Sequence, residues 1–297
     1  MNRTSVLIAG HGYVGSALAN TLQEEGASVT VLNRSAVEGV CYLSLKADLG
    51  NLDSITSAAE LLETPPDVII HCAASGRGGG IESYRSVYVD GMRHLQQAFP
   101  GVPILYTSST GVYGQDDGSV ITETSETSPG RETGELLLEA EAIALETGGI
   151  VLRLAGIYGP GRSIYLQRLL EGTATIDPGW PSRHLNQIHL TDIVGALLHF
   201  LTSGISPYRG RIFNVVDGTR MTQRECYEGL AQIFDLPIPP EAPSRPGPRG
   251  VTNKIVSSAA LKATVWEPIY PSYFDAIKKD PDLVASILDK IGGNETN

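Results

Sequence analysis

Ser5-Val-Leu-Ile-Ala-Gly10-His-Gly12-Tyr-Val-Gly15-Ser-Ala-Leu-Ala19, followed by Ser28-Val-Thr-Val-Leu-Asn33-Arg34, is the stretch on which the reading of this chain turns. An apolar run enters Gly10-x-Gly12-x-x-Gly15, a helix-period segment continues to Gly26, and a second β-branched run follows. That order predicts strand, glycine turn, helix and strand. In such a unit Gly10 permits the tight turn, Gly12 lets a pyrophosphate approach the backbone, and Gly15 lets the helix pack closely on the strand. The helix N-terminus then offers unpaired N–H groups and the positive end of its dipole to phosphate. The context points to a bound dinucleotide rather than to a glycine turn without a ligand.

Outward from this unit the alternation continues to about residue 155. A short apolar strand is expected near Cys41–Leu45, a helix over Leu52–Leu62 and a strand over Asp67–Cys72. A helix from about Glu82 to Phe99, a strand Val102–Thr107, a helix from about Gly134 to Glu146 and a strand Ile150–Leu154 follow. Apolar strands separated by helical patterns predict an α/β fold, a Rossmann-type doubly wound parallel sheet covered on both faces. Its ligand belongs at the carboxyl ends of the strands. Beyond Gly156 glycines and prolines thicken, as in Gly159-Pro-Gly161 and Asp177-Pro-Gly-Trp-Pro181. Helices are expected there at about 191–203, 222–235 and 272–291, with short cap strands near 185–190 and 211–216. The division read from this is a dinucleotide-binding domain over 1–155 and, over 156–297, a smaller C-terminal cap interleaved with the sheet. The proline-rich stretch Pro237–Pro248 reads as a rigid surface loop.

With 33 acidic against 22 basic residues the formal net charge of the 297-residue chain is −11. That balance argues against nucleic-acid and anionic-membrane partners and leaves a small-molecule substrate. The first strand begins at about residue 5, leaving no room for a signal peptide, and no apolar run is long enough to span a bilayer. Cys41, Cys72 and Cys226 are scattered without redox or metal spacing, so free thiols in a reducing cytoplasm are expected. None of the six histidines shows metal-ligand spacing, and no metal is expected.

Four further segments fall where strand ends should face the ligand: Asn33-Arg34, Asp48-Leu49, His71-Cys-Ala73-Ala74 and Tyr106-Thr107-Ser-Ser109-Thr-Gly-Val-Tyr113-Gly114. Arg153-Leu-Ala-Gly-Ile-Tyr158-Gly-Pro-Gly-Arg162, Asn186-Gln-Ile-His189-Leu-Thr-Asp192, Phe213-Asn-Val-Val-Asp217 and Lys254-Ile-Val-Ser-Ser-Ala-Ala-Leu261 follow in order. Together they resemble the extended branch of the short-chain dehydrogenase/reductase superfamily, the NAD(P)-dependent epimerase/dehydratase-like proteins, over nearly the whole chain. The resemblance implies an oxidoreductase or epimerase/dehydratase-type enzyme acting on a small polar, nucleotide- or sugar-linked substrate. It also implies a monomer or a homodimer, since such proteins often pair through helices beside the fourth and fifth strands. Contacts to the cofactor are expected from Gly10, Gly12, Tyr13, Val14 and Gly15, from Asn33 and Arg34, from Asp48 and Leu49, and from Ala73, Ala74 and Thr107. In the resembling family the residue at Asp48 contacts the adenine; a turn role ahead of Leu52 is its alternative.

Cofactor choice is argued from the second strand. NAD sites place a carboxylate there to accept the ribose hydroxyls, whereas arginine suits a 2′-phosphate. This chain has Asn33-Arg34 and no carboxylate until Glu38, so NADP(H) is expected, with NAD as the alternative. Arg34 has its own plainer readings, a solvated turn residue or a stack on the adenine.

The catalytic pair of the family, Tyr-x-x-x-Lys on the helix after the fifth strand, is missing. Anchored on Glu141, the stretch Arg131-Glu-Thr133-Gly-Glu-Leu-Leu137-Leu-Glu-Ala-Glu141 puts Thr133 at the tyrosine and Leu137 at the lysine. Tyr42 to Lys46 matches the spacing by coincidence. Tyr88 replaces a usual asparagine, and the glycine turn is one residue shorter than the branch usually has. Ser109 remains: the resemblance gives it a hydrogen bond to the substrate's reacting oxygen, and capping its own loop is the equal alternative. Tyr113 is the candidate substitute acid–base, against packing within the Gly111–Gly114 turn; no cation is evident in the sequence to lower its pKa. His184 and His189 suit general acid–base work or the bracing of a cap strand, and His11 faces pyrophosphate or solvent. Substrate contacts are expected from Ser109, Arg162, Trp180 and Arg183. Arg162 paired with an acidic neighbour and Trp180 packed between Pro178 and Pro181 are the alternatives, and Gly76–Gly80 reads as a lid or a plain loop. The competing class of function is a catalytically silent NAD(P)-binding sensor or partner-docking protein.

Overall fold

A computed structural model describes residues 4–35, 37–76, 78–179, 182–243 and 252–294. Trp180, Arg77 of the glycine-rich insert and the second half of the proline-rich stretch lie outside the described residues.

Seven strands form one parallel sheet: β1 (Ser5–Ala9), β2 (Ser28–Asn33), β3 (Leu43–Lys46), β4 (Val68–His71), β5 (Ile104–Ser109), β6 (Ile150–Leu154) and β7 (Ile212–Val215). Their order is β7-β6-β5-β4-β1-β2-β3: the chain winds outward from β1 to β3, then returns to β4 on the other side of β1 and winds outward to β7. β1 pairs in register with both neighbours, Ile8 lying between Val31 of β2 and Ile70 of β4. Val6, Leu7, Ile8 and Ala9 are all at most 1% exposed, which marks a strand covered on both faces. This doubly wound order is the one expected from the alternation of apolar runs and helical patterns.

The chain packs as two compact units. The first comprises Met1–Val112, Arg131–Arg153 and Ala196–Phe213, the second Tyr113–Gly130, Leu154–Gly195 and Asn214–Asn297. A single boundary at 155 therefore splits the chain differently, since 113–130 and 196–213 fall on the other side of it.

Three expectations need correction. The segment 211–216 is not a cap strand: Ile212–Val215 is the edge of the main sheet. Val151 N–H bonds to Arg211 O and Ala155 N–H to Val215 O, the constant offset of a parallel ladder. An apolar run announces a strand but not the partner it finds. The single helix expected over 272–291 is two, Tyr273–Lys279 and Pro281–Asn294. Asp280 between them is extended, as a residue before proline prefers, and its Oδ1 accepts the N–H groups of Asp282 and Leu283. The helix expected from 82 to 99 is built from Gly80–Arg85, a π-helical turn Ser86–Asp90 and Gly91–Ala98.

The second unit has its own apolar core, where Tyr158, Leu166, Tyr227, Leu230, Tyr273 and Leu283 meet. The helix Ile164–Leu170, absent from the sequence reading, contributes to it. Among the described residues no helix is long and apolar enough to cross a membrane.

Candidate active site

The glycine turn behaves as its sequence implies. Gly10 has φ +106°, in the region that disfavours a side chain, and a Cβ there would lie 2.5 Å from the Ala73 backbone. A Cβ at Gly15 would lie 2.0 Å from the Gly10 carbonyl oxygen, so the helix Tyr13–Glu24 sits directly on the turn. A Cβ at Gly12 would meet nothing within 4 Å. Gly12 is the helix N-cap, and no acidic residue occupies the first turn. Open space over the N-terminus of this helix, the positive end of its dipole, fits a pyrophosphate. Val14 is buried on the core side of this helix; Tyr13 is half-buried.

At the end of β2 the Asn33 side-chain amide donates to Ser35 O, closing its own turn, and Arg34 is exposed. Asp48 is exposed and its Oδ1 accepts the Gly50 N–H, so the turn role is present in the structure. Leu49 is buried, its carbonyl accepting from His94. Ala73 is half-buried against the glycine turn and Ala74 is exposed. Thr107 donates its hydroxyl to His71 O, tying β5 to β4. Ser109 ends β5 half-buried, and its Oγ accepts the Gly111 N–H at 3.1 Å. That bond uses the oxygen as acceptor and leaves the hydroxyl proton for another partner.

Helix Glu132–Glu146 carries half-buried Thr133 and buried Leu137 where the family's tyrosine and lysine would stand. The sequence reading missed what the same helix does with Glu141. Arg153 of β6 meets it with Nε and Nη2 at 2.6–3.1 Å, and the Ser108 hydroxyl of β5 donates to it at 2.6 Å. Both charged side chains are under 5% exposed. Arg153 stood in a quoted motif, but nothing in the sequence named its partner. Beside it lies an aromatic cluster. His71 is fully buried, its Nε2 3.1 Å from Val87 O, with its ring stacked against Tyr88 and edge-on to Tyr106. Burial pulls its pKa down to about 4, so it is neutral. Tyr84 and Tyr88, one turn apart across the π-helical segment, lie 4.3 Å from ring to ring.

In the second unit Tyr113 is fully buried, its hydroxyl donating to Asn214 Oδ1 at 2.9 Å. A cation does lie near it: Lys254 donates to the Tyr113 carbonyl, its Nζ 6.0 Å from the ring centroid. Burial brings the Lys254 ammonium down to about 8. Arg162 is exposed; Arg183 is half-buried. Arg183 and Arg168 oppose the burial that pushes the Tyr165 phenol up. His189 is fully buried, its Nδ1 accepting the Thr191 N–H and its Nε2 3.1 Å from Asp280. Asp192 accepts the N–H groups of Ile269 and Tyr270, so this pair braces backbone. His184 is half-buried in its strand.

The fold and the glycine turn are those of a Rossmann-type protein. The model of the NAD dependent epimerase/dehydratase family matches residues 6–215, and the chain belongs to that family. It is similar to Protein YeeZ of Escherichia coli K12, 30% identical over 251 residues, covering 79% of this chain and 85% of the relative. A putative NAD-dependent epimerase/dehydratase from Methylobacillus flagellatus superposes with a TM-score of 0.76 at 28% identity, over 97% of this chain and 100% of that one. A Thermus thermophilus UDP-glucose 4-epimerase in complex with NAD superposes at 0.77 and 21% identity, over 95% of this chain and 98% of that one.

Proposed function

We propose that this chain binds NADP(H) and transfers hydride to or from a small polar, nucleotide- or sugar-linked substrate. The observation that carries the reading is the glycine turn, open over Gly12, beside a second strand that is followed by Arg34 and by no carboxylate until Glu38. The relative solved with NAD keeps NAD as the rival cofactor, and its UDP-glucose substrate class supports the nucleotide-sugar reading.

Gly12 and the N-terminus of the first helix would hold the pyrophosphate, Arg34 the 2′-phosphate, and Asp48, Leu49, Ala73, Ala74 and Thr107 would line the adenine and nicotinamide halves. A dinucleotide bound there would supply or accept the hydride. Ser109 would donate a hydrogen bond to the substrate oxygen on the reacting carbon, and the Gly111 N–H holds Oγ in place for it. Arg162 and Arg183 are the substrate-anion contacts of this reading. Tyr113, buried and engaged with Asn214, is tested as acid–base by Tyr113→Phe.

Calorimetric titration with NADPH and NADH, followed by turnover assays on UDP-sugars with Ser109→Ala as control, tests the proposal. Preferential NADPH binding and Ser109-dependent turnover are expected. The second reading, a dinucleotide sensor without turnover, is favoured by Thr133 and Leu137 at the family's catalytic positions. Tight cofactor binding with no hydride exchange on any substrate establishes that reading instead.

A further inference from the structure

We propose that Lys254 binds the carboxylate of an acidic substrate, a sugar acid or similar hydroxy acid, in a subsite of the second unit that Gln115 and His184 complete. The inference rests on the substrate reading above and narrows its class.

Lys254 directly precedes the short strand Ile255–Val256, which pairs with Val120–Ile121. It is 5% exposed, and a lysine buried this far ordinarily has a carboxylate beside it. Here its Nζ donates to one acceptor among the described residues, the Tyr113 carbonyl, with the Tyr113 ring at 6.0 Å. An ammonium carries three N–H donors, so two are left for another partner. Burial alone brings its pKa down to about 8, with no neighbouring charge acting on it, and the group is still mostly a cation at neutral pH. A buried cation held only by a carbonyl is costly, and an anion supplied from outside the chain offsets that cost.

Asn253, the residue before it, ties two further groups to this stretch. Its N–H donates to Gln115 O at 3.3 Å, and its Oδ1 accepts the His184 N–H at 3.0 Å. Gln115 Nε2 donates to Glu126 O at 2.9 Å, yet Gln115 Oε1 and His184 Nδ1 are buried with no hydrogen-bond partner among the described residues. Gln115 and His184 are half-buried overall and stand outside the apolar core of the unit, near the surface where a ligand can reach them. All four residues belong to the second unit. The set is one cationic donor, one amide oxygen that only accepts, and one imidazole nitrogen that takes either role by tautomer. A carboxylate suits the ammonium, and a hydroxyl beside it suits the other two. A hydroxy acid carries both groups. A phosphate dianion offers acceptors alone and leaves the Gln115 oxygen without a donor.

Calorimetric titration of the full chain in the presence of NADPH tests this, with UDP-glucuronic acid, UDP-glucose and free glucuronate as probes. Wild type is expected to bind UDP-glucuronic acid about tenfold tighter than UDP-glucose, the scale of one charge-assisted hydrogen bond, and to bind glucuronate as well. Lys254→Met and Lys254→Gln should both lose that preference, with UDP-glucose changed less than about twofold. Gln115→Leu should weaken both UDP-sugars about threefold, since each offers hydroxyls. The thermal midpoint of ligand-free Lys254→Met is expected to equal or exceed that of wild type, because an unpaired buried charge is removed. A wild-type protein that binds neither acid, or prefers neither, overturns the inference. So does an intact preference in the Lys254 variants, and a lowered midpoint alongside it identifies the residue as a prop for the Tyr113 turn. Turnover of UDP-glucose without any preference for the acid leaves the proposed function standing and removes this subsite. Lys254-dependent binding of the acids without hydride exchange does the reverse.

Discussion

Gly12 and Gly15 stand one helical turn apart, yet the structure gives opposite consequences for adding a methyl group to each. At Gly15 the new Cβ would lie 2.0 Å from the Gly10 carbonyl oxygen, well inside contact distance, and the obstacle is backbone. Relief requires the helix Tyr13–Glu24 to lift off β1, whose Val6–Ala9 side chains are buried. Overpacking of this kind costs roughly 1–3 kcal/mol, a fall of several degrees in Tm for a chain this long. At Gly12 the φ of −89° suits alanine and nothing lies within 4 Å. Reduced freedom of the unfolded chain favours alanine by about 0.4–1 kcal/mol, offset by alanine's poorer N-capping, so Tm should barely move. The methyl would instead occupy the space left for the pyrophosphate. Losing one or two charge-assisted bonds from backbone N–H to phosphate costs about 2–4 kcal/mol, roughly 30- to 1000-fold in Kd. Differential scanning calorimetry and cofactor titration of Gly12→Ala and Gly15→Ala separate the two effects. A folded Gly12→Ala protein that binds NADPH and NADH with wild-type affinity would refute the placement of the phosphates on this turn.

The Glu141–Arg153 pair is under 5% exposed, so Glu141→Ala leaves a buried guanidinium without its carboxylate and should cost about 3–5 kcal/mol by urea unfolding. The double variant Glu141→Leu/Arg153→Met should recover most of that loss; a single variant costing under about 1 kcal/mol contradicts this account. Asp217 is raised to about 7, chiefly by burial and then by Asp192, against the Thr219 and Gly218 N–H groups and Lys262. The folded protein therefore keeps a proton that the unfolded chain releases near pH 4, and wild-type stability falls as pH rises from about 4 to 7. Asp217→Asn removes that contribution, so its stability relative to wild type should rise across the same window by a total on the order of 4 kcal/mol. Unfolding free energies at pH 5 and pH 8 with an unchanged difference between the two proteins would exclude it.

Legibility followed the range of the interaction. Helix Glu132–Glu146 was expected from about Gly134, and the aligned positions Thr133 and Leu137 do lie on it, because the 3.6-residue period is local. Glu141 anchored that alignment and Arg153 opened a quoted motif, yet their ion pair was not foreseen, since charge pairing across a helix and a sheet leaves no period in the chain. Tyr113 shows the same limit. Its turn was visible, whereas Asn214, 101 residues away, decides where its phenol points.

Taken alone, the sequence determined the first βαβ unit, the steric roles of Gly10 and Gly15 and the doubly wound alternation, because turn sterics and side-chain periods act within a few residues. It also settled the absence of the Tyr-x-x-x-Lys pair, which is a statement about residues and needs no coordinates. Only the tertiary structure decided that Ile212–Val215 closes the edge of the main sheet and that Tyr42 crosses from the start of β3 to His11. The same holds for the buried carboxylate at Glu141, which finds its guanidinium on a neighbouring strand. Each of those depends on which distant segment satisfies a backbone ladder or a buried charge, and that choice is made by the packed chain as a whole.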